Sequence, residues 1–176
     1  MIESLHSPHV ARVKALIGSR GVKERRSAGF FVAEGLQAAR EALTSKSAPF
    51  IKHLYVTNSG LLKLSDFDLN EIDVVEVTDA VMAEMTSTVT PQGVLALCVL
   101  PRREITELST LATKAAARIV YLHEIQDPGN AGTILRTADA MGVDAVITSP
   151  GSVDMYSPKV VRATAGSLWH LPLYES

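Results

Sequence analysis

Residues 127–142 read Asp127-Pro-Gly-Asn130-Ala-Gly-Thr-Ile-Leu-Arg136-Thr-Ala-Asp-Ala-Met-Gly142, and two of them carry side chains suited to work on a polar substrate. The Asn130 amide can orient a hydroxyl or its own loop. Arg136 is a long cation that keeps its proton inside proteins, so it can meet an anionic or hydroxylated group as a fixed charge. Gly129 and Gly132 permit a tight turn and a close approach to the backbone. Ala131, Ile134, Leu135, Ala138 and Met141 make an apolar helical stripe from which Arg136 is excluded, and Gly142 suits the position just past the helix end. Plainer uses exist: Asn130 as N-cap of a helix starting at Ala131, and Arg136 as an ordinary surface residue.

A second run, Tyr156-Ser157-Pro158-Lys159-Val-Val-Arg162-Ala-Thr-Ala-Gly166-Ser-Leu-Trp169-His-Leu-Pro172, has the same double character. Ser157 and Pro158 read as N-cap and first position of a helix. Lys159 and Arg162 then share one helical face, which suits phosphate contacts or a solvated surface. Trp169 reads as packing rather than as a platform for a base.

Several chemistries are excluded by spacing. A dinucleotide site wants G-x-G-x-x-G and an acid about 20 residues on, whereas Asp139 and Asp144 follow too early. No glycine loop leads into Gly-Lys-Ser/Thr, and the five histidines are scattered rather than set at metal-ligand spacing, so no metal is expected. The lone Cys98 sits in the apolar run Val94–Leu100 and reads as a small core hydrophobe. No run of eighteen apolar residues and no secretory leader pattern is present, so a cytoplasmic protein without a membrane span is expected.

The elements that must position these residues alternate between helical and strand patterns, giving an α/β fold. Helices are expected over 9–17, 36–43 and 80–85, the last capped by Asp79, and strands over 30–33, 52–57, 73–77 and 93–100. Residues 1–100 are expected to form one domain, 101–117 a connector with some helix, and 118–176 the first part of a second α/β unit. That unit has a strand at 119–122, a helix at about 131–141 and a strand at 144–147, a βαβ crossover with a parallel sheet. The 176-residue chain has a net charge of −2, but residues 1–30 carry +4 through Arg12, Lys14, Arg20, Lys23, Arg25 and Arg26 against Glu3 and Glu24. That segment, Arg25 and Arg26 included, is a candidate phosphate-contacting surface or a solvated basic arm.

The two runs resemble the first two motifs of the SpoU (TrmH-like) family of S-adenosylmethionine-dependent RNA 2′-O-ribose methyltransferases, in the SPOUT superfamily. Phe31-Val-Ala-Glu34-Gly35 and Thr90-Pro-Gln-Gly93-Val-Leu-Ala96 are similar to signatures of that family's substrate-binding domain, which is related in fold to ribosomal RNA-binding proteins. The resemblance implies a ribosomal-protein-like α/β sandwich followed by the first half of a trefoil-knot domain. It implies Asn130 and Arg136 as catalytic residues, Arg136 meeting the ribose hydroxyl, and Lys159, Arg162 and Glu34 as RNA contacts. The helix dipole offers Glu34 an ordinary role as well. Ribosomal RNA is expected ahead of transfer RNA, and a homodimer is expected for a complete member.

The family's third motif would lie beyond Pro172, so the knot and most of the cofactor pocket are expected to be missing. The chain is then expected to be inactive alone. Two alternatives stay open: a non-catalytic RNA-binding protein with a remnant second domain, and a nucleotide-binding α/β enzyme of another kind.

Overall fold

The computed structural model describes residues 1–46, 49–113 and 116–176. The first unit opens with α1 (Pro8–Ile17), capped by the Ser7 hydroxyl, which accepts from Val10 N, and buries Val10, Val13 and Leu16. α2 (Gly21–Ala28) follows and ends on Gly29 at φ 74°. β1 (Phe30–Glu34), α3 (Leu36–Thr44), β2 (Ile51–Val56), α4 (Asn58–Leu62), β3 (Val74–Glu76), α5 (Asp79–Met85) and β4 (Val94–Val99) complete it. α2 and α4 are not apparent in the apolar pattern, because α2 is almost wholly polar and α4 is a single turn. Asp79 is the first helical residue of α5 rather than its cap; the Thr78 hydroxyl takes that role.

The strands order β1-β4-β2-β3, with β4 antiparallel to both neighbours and β2 parallel to β3. β4 is buried over five of its six residues, which explains its unbroken apolar sequence. One face carries Val32, Tyr55, Leu95 and Leu97 against α1 and α5; the other carries Phe31, Leu54, Val56 and Cys98. The Cys98 thiol is fully buried, and burial pushes its pKa upward, as expected for a core residue. Ile2 extends the sheet past β3 through an isolated parallel bridge to Val77.

In the connector, Ile105–Thr113 form a 3-10 stretch, while Lys114 and Ala115 lie outside the described residues. The second unit contains β5 (Ile119–Leu122), α6 (Pro128–Ala140), β6 (Ala145–Thr148), α7 (Pro158–Ala163), a 3-10 turn (Ser167–Trp169) and β7 (Leu173–Glu175). Its sheet is parallel throughout, in the order β5-β6-β7, as the crossover pattern predicts. β7 is too short to stand out in the sequence. Among the described residues β5 is an edge strand, with Ile119 and Tyr121 46% and 54% exposed.

The two units share a core. Phe31 lies 5.0 Å from the Tyr156 ring and 6.3 Å from Trp169, whose indole N–H donates to Pro49 O. Charged contacts cross the same boundary. Arg25, 4% exposed, gives Nε and Nη2 to Asp154 Oδ2 and Nη1 to Leu16 O. Glu34 accepts from Arg162 Nη1 at 2.7 Å. His170 bridges Asp139 and Glu41, at 2.8 and 3.1 Å.

Removing one partner of a buried ion pair strands the other, so Asp154→Ala should cost about 3–5 kcal/mol in urea unfolding. Arg25→Met with Asp154→Leu should cost less than either single change. Hydrogen bonding to Asp139, then to Glu41, raises the His170 pKa above its ordinary value despite partial burial. A raised folded pKa means the contact is fully present below about pH 6.5 and fades as pH rises through the folded value. Wild-type protein should therefore resist urea better at about pH 6 than at about pH 8, and His170→Gln should shrink that difference.

Candidate functional site

α6 leaves β5 through the loop 123–127 at the carboxyl end of the strand, the side where open α/β sheets place ligands. Its N-cap is Asp127, whose carboxylate accepts from Asn130 N at 2.7 Å, with Pro128 at the first position. The capping role open to Asn130 thus belongs to Asp127, and the helix starts three residues earlier than the apolar stripe indicates. Asn130 lies inside the first turn with an exposed side chain. Thr133 and Thr137 bond back to Gly129 O and Thr133 O, so their hydroxyls are held to the helix. Met141 is not part of the buried stripe: it is 63% exposed. Gly142, at φ 61°, takes the position past the helix end.

Arg136 is exposed, and neither it nor the Asn130 side chain has a hydrogen-bond or ion-pair partner among the described residues. Six residues of helix separate them by about 9 Å of rise and roughly 120° of rotation. The two therefore do not meet within the chain. They present an amide and a cation in different directions from one helix.

α6 is anchored by close approach to α7: a Cβ on Gly132 would overlap Ala163, which only glycine avoids. α7 is capped as expected, with the Ser157 hydroxyl accepting from Val160 N and Pro158 following. Lys159 is exposed. Arg162 is turned toward the first unit, where Nη1 donates to Glu34 Oε2 and to Ser87 Oγ, each at 2.7 Å. Ser87 also donates its backbone N–H and hydroxyl to the same carboxylate. The Glu34 side chain is only 2% exposed, so it faces Arg162 rather than an external ligand. Ser87 and Asp154 are the partners that sequence patterns did not single out; both contacts join residues far apart in the chain.

The basic N-terminal segment divides. Arg25 is spent on Asp154 and Leu16 and is a structural cation, not a phosphate contact. Lys14 pairs with Glu84, and Arg26 with Glu175 at 3.0 Å, the latter pair well exposed. Arg26, Arg102 and Arg103 flank a cleft of about 380 Å³ whose floor includes Leu100, Met155, Tyr156 and Leu173. Burial raises the Tyr156 pKa, opposed by the nearby Arg103 charge. Loop 123–127 holds one non-glycine residue in the left-handed region, Glu124 at φ 46°, whose N–H donates to Ser149 Oγ. The carboxyl ends of β5 and β6 are thereby tied together. No helix among the described residues is long and apolar enough to cross a membrane.

Residues 117–176 match the model of the SpoU rRNA Methylase family, and residues 8–96 match the MRM3-like substrate binding domain. The 23S rRNA (guanosine(2553)-2′-O)-methyltransferase RlmP of Bacillus subtilis is 34% identical over 151 residues, 86% of this chain and 56% of that protein. The human mitochondrial rRNA methyltransferase 3 is 28% identical over 93% of this chain and 39% of its own length. The chain thus spans less than two thirds of these relatives. An AdoMet-bound rRNA methyltransferase from Sinorhizobium meliloti superposes with a TM-score of 0.79 at 30% identity, covering 99% of this chain and 63% of that one. The SpoU methyltransferase AviRb from Streptomyces viridochromogenes shares the fold, with a TM-score of 0.81 at 22% identity over 97% of this chain and 63% of its own. With these two matched segments and the likeness of nearly the whole chain to rRNA methyltransferases, the chain belongs to the SpoU rRNA methylase family, with an MRM3-like substrate-binding domain ahead of the SpoU segment.

Proposed function

We propose that this chain is the RNA-binding and first catalytic part of an S-adenosylmethionine-dependent ribosomal RNA 2′-O-ribose methyltransferase, acting in the cytoplasm. The observation that carries the reading is Arg136: a cation without a partner among the described residues, on the helix that leaves the carboxyl end of β5, within the segment the SpoU model matches. A ribose 2′-hydroxyl is a weak nucleophile, so it must be held in line with the methyl group and its developing charge must be met by a fixed cation. Arg136 supplies that cation. It stabilises the alkoxide rather than removing the proton, since guanidinium does not act as a base. Asn130 orients the sugar or the loop. Arg26, Lys159 and Arg162 hold phosphates, which position RNA without reading its sequence. Ribosomal RNA is favoured over transfer RNA by the substrates named for RlmP and the mitochondrial relatives.

The cofactor would supply an electrophilic methyl group on a sulfonium cation. The cleft flanked by Arg26, Arg102 and Arg103 suits it poorly, because those cations would stand against the sulfonium charge. The 176-residue chain alone is proposed to be insufficient for cofactor binding. A second copy is part of the proposal as well. Arg136 has no side-chain partner among the described residues, and on another face of the same helix Ile134 and Met141, with Val120 and Val143, line a shallow apolar depression suited to a homodimer contact.

Titration calorimetry of this chain with S-adenosylmethionine should show no micromolar binding; micromolar binding would overturn the cofactor part of the reading. With tritiated donor, the protein expressed in its native reading frame should label bulk ribosomal RNA, and Arg136→Ala should slow the transfer about 100- to 1,000-fold. Label on transfer RNA alone would refute the substrate. Absence of label on either would favour a non-catalytic RNA-binding protein.

A further inference from the structure

The Glu34 carboxylate is buried to 2% exposure, yet it is not at the centre of a closed pair. It accepts from Arg162 Nη1, from Ser87 N at 2.9 Å and from Ser87 Oγ at 3.2 Å. Arg162 commits only Nη1 to this cluster. Its Nε and Nη2 have no partner among the described residues, and the side chain is 32% exposed. Ser87 opens the polar loop Ser87–Gln92, whose tip, Val89, is 99% exposed. One turn earlier on α7 stands the exposed Lys159. A guanidinium held by one nitrogen presents its other edge as a fixed fork, the geometry that meets a phosphate with two N–H groups.

We propose that Glu34 is a positioning residue for RNA: its buried carboxylate, with Ser87, fixes Arg162 so that the free edge of the guanidinium grips a backbone phosphate where the Ser87–Gln92 loop meets α7. This rests on the chain binding RNA, and it changes the expected role of Glu34. The carboxylate does not touch RNA; it acts through Arg162. The arrangement makes an unusual demand on charge. Neutralising an acid near a polyanion ordinarily strengthens binding, because repulsion falls. Here Glu34→Gln releases the guanidinium, and the lost contact outweighs the lost repulsion.

The test is fluorescence anisotropy of this chain with end-labelled fragments of deproteinised ribosomal RNA, titrated across a range of salt. Arg162→Ala should weaken binding about ten-fold and reduce the slope of log affinity against log salt by about one. Glu34→Gln should weaken binding by a similar factor with the same loss of slope, and the double variant should be no worse than Arg162→Ala. Arg162→Lys retains charge and the ion pair but loses the fork, so it should keep the wild-type unfolding midpoint while weakening RNA binding several-fold. This variant settles the question if Glu34→Gln fails to fold. Equal or tighter binding by Glu34→Gln, or wild-type affinity in Arg162→Lys, would overturn the positioning role while leaving RNA binding intact. Failure of the wild-type chain to bind the fragments at all would overturn both.

Discussion

Everything on the proposed substrate side depends on how the two α/β units are held to each other. Phe31 from the first sheet packs against Tyr156 and Trp169 from the second unit, and these three rings sit in one continuous apolar cluster with Leu54, Val94, Leu135 and Val160. A shared core of this kind is close-packed and resists small displacements, unlike a polar interface bridged by water. The orientation of α7 relative to β1 is therefore set by ring packing, and the polar contacts refine it.

The charges at this boundary are better understood as selecting one arrangement than as strengthening it. Burying Arg25 and Asp154 carries a desolvation cost that their attraction only partly offsets. The geometry leaves little choice, however: two guanidinium nitrogens converge on one carboxylate oxygen while the third reaches a helix carbonyl. A rotated interface would leave a bare charge among apolar side chains. Glu34 with Arg162 and His170 with Asp139 and Glu41 repeat the device at two further points.

Much of the architecture was readable in the residues. β4 announced itself as an uninterrupted apolar run because it is central in its sheet, and the β5-α6-β6 crossover followed from period and spacing. α7 was fixed by Ser157 and Pro158, whose cap chemistry is local. α2 was missed because its eight residues bury mainly Gly21 and Arg25, which carry no apolar stripe. The start of α6 was misplaced because Asp127 and Pro128 set it before the stripe begins. For the candidate site, the sequence located Asn130 and Arg136 on one element but could not say that they point apart. Nor could it show that Arg25 and Glu34 are spent inward, since their partners Asp154 and Arg162 lie more than a hundred residues away. Long-range pairing of that kind leaves no local pattern.

The two sheets finish their borders differently, and this bears on handling. Beside β3, Ile2 bonds to Glu76 O and accepts from Thr78 N, so a strand-like segment shields that border from other molecules. β5 has no such guard among the described residues: its outer row of peptide groups is flanked by exposed Ile119 and Tyr121. An unshielded apolar strand is a template for adventitious pairing. Concentrated solutions of this chain would therefore be colloidally fragile at β5 first, and solubility engineering belongs there, with a lysine at position 119 or 121 as the least intrusive change.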